Sequence, residues 1–124
     1  MKIKIYQNHM NENYTIYMND RRKNLLMVNT KPIKFNLDRF KFLVSDMVMD
    51  WPNELINDKE VCDGLEFKIV IKDNNNKEDV YIFKNKFPED IFRLTSLINE
   101  VLEEMKWALY MINYLNLLLT SKKW

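Results

Sequence analysis

The chain has a single glycine, a single cysteine, a single histidine and a single alanine. Each shortage removes a class of chemistry. One glycine, Gly64, cannot build a glycine-rich phosphate loop. One histidine, His9, and one cysteine, Cys62, cannot supply the four nitrogen or sulfur ligands of a structural zinc site. A lone cysteine closes no internal disulfide, which points to a reducing compartment and a cytoplasmic location. Neither sign of charge dominates: 19 Lys and Arg against 18 Asp and Glu leave +1 at pH 7. This balance gives no electrostatic case for nucleic acid as a partner, and it lacks the acidity of a protein that mimics DNA. Met1–Tyr6 alternates charge with apolar residues and has no continuous apolar run, so it does not read as a signal peptide. The longest apolar stretch falls short of the roughly 20 residues of a membrane-spanning helix.

What the chain has is apolar and aromatic residues, at 47% and 13% of 124. That is too rich for a disordered tail. A chain of this mass folds to roughly 7,000 Å² of surface from about 22,000 Å² unfolded, so a core can form without disulfide or metal. One domain over residues 1–124 is expected, with 106–124 as an apolar helical extension.

Ile3 and Ile5, then Tyr14, Ile16 and Met18, recur at period two and read as half-buried strands. Leu25–Val28 reads as a return strand, and Ile33 with Phe35 extends the sheet. Asn36 suits a helix N-cap, with Asp38 in the first turn. Leu37, Phe40, Val44, Met47, Val48 and Trp51 then fall on one helical face, which Pro52 ends or kinks. Asp63-Gly64 is a turn signal, and Gly64 alone escapes the positive-φ penalty. Leu65–Lys72 alternates most clearly of all, and Val80–Lys84 reads as the second arm of its hairpin. Phe87-Pro88-Glu89-Asp90 opens a last helix, with Pro88 at its first position. Its buried stripe is Ile91, Leu94, Ile98, Val101, Leu102 and Met105. The expected class is α+β: an antiparallel sheet of hairpins, one central helix, and a long or broken C-terminal helix packed on one face. Residues 88–119 form either one helix or two, since no breaker separates them and a turn near 103–106 remains open.

The candidate chemistry is sparse. His9 has no ligand or acid at useful spacing. Asp63 beside Cys62 raises rather than lowers the thiol pKa. Asp58, Glu60, Asp63 and Glu66 form a loose acidic cluster without a companion motif, the one opening for a small carboxylate-dependent hydrolase. Arg21, Arg22 and Lys23 form a compact basic turn that could contact nucleic acid, though no aromatic platform accompanies it. No metal, no cofactor and no catalytic residue is expected. Residues 107–119 are apolar nearly all round, and three readings stay open: a core helix, an apolar interface, or a membrane anchor. Trp107, Tyr110, Met111 and Tyr114 are the candidate partner-binding residues, since aromatic side chains one turn apart suit interface hot spots.

Trp51-x-x-Glu54, Asp63-Gly64-x-x-Phe67, the alternating hairpin and Asn85-x-Phe87-Pro88-x-x-Ile91-Phe92 together resemble small uncharacterised immunity-protein-like proteins of low-GC bacteria, over about residues 36–103. The resemblance implies a non-catalytic binder. The expected function is thus a protein-binding module that neutralises another protein. That would be a toxin immunity protein or a phage-encoded inhibitor of a bacterial defence nuclease, such as an anti-CRISPR. A self-associating structural protein, with a homodimer through the C-terminal helix, is the alternative.

Overall fold

The fold is given by a computed structural model that describes residues 1–9, 12–18, 24–57, 59 and 64–121. Among these residues, seven strands make one sheet: β1 (Lys2–His9), β2 (Glu12–Met18), β3 (Leu25–Val28), β4 (Lys31–Lys34), β5 (Glu54–Ile56), β6 (Glu66–Lys72) and β7 (Glu78–Lys84). The helices among the described residues are α1 (Leu37–Val48) and α2 (Phe92–Ser121). The sheet order is β4-β3-β2-β1-β6-β7-β5. Every pairing is antiparallel except β5 against β7, which is parallel. The protein is therefore α+β, with hairpins β1–β2, β2–β3, β3–β4 and β6–β7.

Alternation along the strands divides the sheet into two faces. Ile3, Ile5, Ile16, Leu26, Ile69 and Phe83 turn to one side and are buried. There they join Phe40, Val44 and Met47 of α1 and Leu94, Leu97, Ile98 and Val101 of α2 in one core cluster. Both helices thus cover the same face. The other face carries Lys4, Tyr6, Tyr17, Lys68 and Val70, none of them buried.

Local chemistry explains the element ends. Asn36 caps α1 by accepting from the Arg39 amide at 3.0 Å. The helix stops at Val48, and a turn closed by the Trp51 amide on the Val48 carbonyl leads into Pro52. The positive-φ positions among the described residues are all asparagines: Asn24, Asn29, Asn76 and Asn85. Asparagine tolerates the left-handed region better than other side chains, so the scarcity of glycine does not limit turns. Gly64, expected to serve a positive φ, does not have one. What it provides is space, because a Cβ there would lie 2.6 Å from Asn85 Oδ1. The Asp63 half of that turn signal lies outside the described residues.

The start of α2 also corrects the expectation. The helix begins at Phe92, not at Pro88. Bonds from the Ile91, Arg93 and Leu94 amides to the Pro88, Asp90 and Ile91 carbonyls make a tighter turn first. Asp90 is engaged elsewhere: it accepts from the Trp51 indole N–H at 2.7 Å and from Arg93. Arg93 reaches across to Asp46 of α1, and Arg39 of α1 grips Glu100 with both guanidinium nitrogens. These bonds tie the docked first half of α2 to α1.

The indole N–H is the main cause holding the Asp90 carboxyl below the usual carboxylate range. A depressed folded-state pKa favours the folded protein above the unfolded value of about 3.9, and that contribution is lost as pH falls through the folded value. Trp51→Phe removes the donor. The gap in urea midpoint between wild type and variant should therefore narrow as pH drops from about 6 to below about 3.9. A gap that stays constant with pH would contradict this role for the indole.

Candidate functional site

The question left open for residues 88–119 has one answer: α2 is a single helix of 30 residues. At 1.5 Å per residue it is about 45 Å long, far more than the sheet needs. One apolar seam runs along it. Leu94, Ile98, Val101, Met105, Ala108, Ile112, Leu115 and Leu119 alternate steps of four and three, the a/d spacing of a coiled coil. The first half of the seam is covered by the sheet and α1, and Val101 is fully buried. Ala108, Ile112, Leu115 and Leu119 continue the same line but are exposed.

The helix passes the sheet at its edge. Trp107, Ala108 and Met111 lie against Leu25, Pro32, Ile33 and Lys34 of β3 and β4 across a groove of about 580 Å³. Beyond Met111 it stands clear of the sheet. Ten large apolar side chains between Trp107 and Leu119 are exposed, with Trp107 and Tyr110 at 61% and Leu117 at 68%. Trp107 and Tyr110 pack edge to face at 5.9 Å between centroids. Tyr114 follows one turn on and is 48% exposed.

Magnitudes give this surface its meaning. With each full aromatic side chain contributing roughly 150–250 Å², the ten side chains together expose on the order of 1,000 Å². The largest apolar patch on an ordinary monomer is roughly 300–600 Å², and each partner in a standard interface contributes about 800 Å². The total surface of 9,053 Å² also exceeds the roughly 7,100 Å² expected for this mass. A helix that is apolar all round belongs inside something. No helix among the described residues is long and apolar enough to cross a membrane.

Of the candidate residues, Trp107, Tyr110, Met111 and Tyr114 fall on this projecting half of α2. Sequence reasoning missed the seam partners Ile112, Leu115 and Leu119, though their four-three spacing from Leu94 was there to be read. It also missed the edge-strand side of the groove, Pro32 and Lys34. Arg21, Arg22 and Lys23 lie outside the described residues, as do Asp58, Glu60, Cys62 and Asp63. Glu66 stands opposite Lys84 on the sheet, and His9 opposite Glu12. Among the described residues, no three His, Cys, Asp or Glu side chains gather as a metal would require.

Comparison with family models, curated proteins and solved structures finds no match. The residues that carried the family resemblance have structural work here. Trp51 packs edge to face on Phe83 at 5.5 Å and bonds Asp90, while Phe87 packs on Phe67 at 5.8 Å.

Proposed function

We propose that the protein is a non-catalytic binding module that neutralises another protein. It engages its target by laying the projecting half of α2 into an apolar groove. The exposed continuation of the core seam carries this reading. A helix presenting apolar side chains at i, i+3, i+4 and i+7 is a known mode of protein recognition, and Trp107, Tyr110 and Tyr114 add aromatic anchors of the hot-spot kind. A cytoplasmic toxin or a defence nuclease, as in immunity proteins and phage-encoded inhibitors, fits such a role.

One observation favours a second reading, self-association. The seam has coiled-coil spacing, so the natural cover for it is another apolar helix, including that of a second copy. The two readings separate in sedimentation velocity on the purified chain: a concentration-dependent dimer supports the second, a monomer the first. The experiment for the first is capture of the target by the full chain and by an Ile112→Glu/Leu115→Glu variant, followed by titration of the captured protein's activity. A target whose capture and inhibition depend on the seam supports the reading. Capture or inhibition indifferent to the two glutamates overturns it.

A further inference from the structure

The projecting half of α2 overhangs one edge of the sheet. Just before the helix, Asp90 holds Trp51, which packs on Phe83 of β7. From there α2 crosses to the β3–β4 edge, which it reaches at Trp107, Ala108 and Met111. Leu94, Ile98 and Val101 are buried in the core on the way. Ala108, Ile112, Leu115 and Leu119 continue their line on the same side of the helix. The seam therefore faces the space beside the outer edge of β4. From Ile112 to Ser121 the overhang is about 15 Å long, the breadth of roughly three further strands.

A strand is a poor fit to this space. The Phe35 amide bonds the Asn24 carbonyl. Alternation along the antiparallel β3–β4 ladder then turns the Lys31 and Ile33 backbone toward β3, and that of Pro32 and Lys34 outward. Pro32 has no N–H to donate, and proline on an edge strand blunts further pairing. The four-three spacing of the seam calls instead for a helix.

The seam is complementary to itself. No charged residue falls between Lys106 and Lys122, so two copies meet there without repulsion. In an antiparallel pair, Ala108 stands opposite Leu119 of the second copy and Ile112 opposite Leu115, and the two-fold axis repeats both layers. Ala108 is the chain's one alanine and leaves room for a leucine. The groove of about 580 Å³ beside it, against Pro32 and Ile33, takes the end of the incoming helix. A parallel pair would set Ala108 against Ala108 and leave both grooves empty. It would also carry the seam on to Val101, which the core already covers. The projecting half exposes on the order of 1,000 Å² of apolar side chain, against about 800 Å² that each partner gives to a stable interface.

We propose that two copies of this chain pair their overhanging α2 halves antiparallel, each helix end seated in the other copy's groove at the β4 edge. This arrangement rests on the self-association reading and adds to it the direction and register of the second helix. A target that takes the seam displaces the second copy from it.

Sedimentation velocity and disulfide trapping on the full chain test the arrangement together. The wild type should sediment as a concentration-dependent dimer. Ala108→Cys and Leu119→Cys are then oxidised separately and as a mixture, and the linked peptides are identified by mass so that bridges to Cys62 are told apart. Two copies of residue 108 lie about 16 Å apart along an antiparallel pair, too far to bridge, whereas 108 and 119 share a layer. The mixture should therefore give the 108–119 bridge at least about tenfold above either variant's bridge to itself. A 108–108 or 119–119 bridge from a single variant overturns the antiparallel arrangement and leaves self-association standing, as does a dimer with none of these bridges. A wild-type monomer overturns both, and so does a dimer that persists in Ile112→Glu/Leu115→Glu.

Discussion

Ile112→Glu/Leu115→Glu is expected to abolish association with whatever covers α2, while the protein unfolds at the same denaturant concentration as wild type. Both residues lie on the seam beyond the sheet edge, where they touch nothing in the core cluster. Glutamate is at least as good a helix former as isoleucine, so the helix itself survives. Surface substitutions of this kind stay within about 0.5 kcal/mol of wild type. Binding is a different matter. Each buried isoleucine or leucine contributes about 1.5–3 kcal/mol to an interface that excludes water. A carboxylate placed there adds a desolvation cost. Two such losses exceed about 3 kcal/mol, which is more than a hundredfold in affinity. Unchanged affinity, or a large loss of stability, would mean that the projecting half packs otherwise than described.

Phe83→Ala is expected to do the reverse and cost about 3–5 kcal/mol of folding stability. Phe83 is completely buried in β7, its ring edge to face with Trp51. Phe67 is its neighbour on β6 and Leu55 its neighbour on β5. Removing the ring leaves a cavity between the sheet and the α1 end, and it loosens the short parallel strand that ends the sheet. Against a typical total of about 5–15 kcal/mol, a loss of this size unfolds a substantial part of the population near physiological temperature. Urea denaturation followed by circular dichroism measures it. Leu115→Ala provides the contrast on the seam, with a change below about 0.5 kcal/mol. A cost for Phe83→Ala below about 1 kcal/mol would contradict the packing.

Much of the fold was legible because local patterns and tertiary demands agree. The alternation through Glu66–Lys72, the Asn36 cap and the one-sided α1 read directly into the observed elements. Strand β5 was not legible. Three residues are too few for a periodic signal, and they become a strand only by pairing parallel to β7, far along the chain. Pro88 misled because its acidic neighbour Asp90 serves Trp51 rather than the first turn of the helix. The length of α2 was half legible: the lack of a breaker allowed a single helix. Whether its seam meets a sheet or solvent depends on where the sheet ends. The Lys4–Tyr17 and Tyr6–Lys68 neighbours are set by strand register, which no single strand encodes.

The surface that matters most is the one the core leaves uncovered, and its cover can be trapped in place. With a photoreactive phenylalanine analogue at position 114, irradiation of cells expressing the full chain should yield one discrete cross-linked protein species. Its mass would equal either the chain plus a single target or twice the chain. The same analogue at exposed Asn74, on the β6–β7 turn, should yield none. If position 114 gives no protein adduct, or only scattered products of many masses, the projecting half of α2 is not a protein-docking surface.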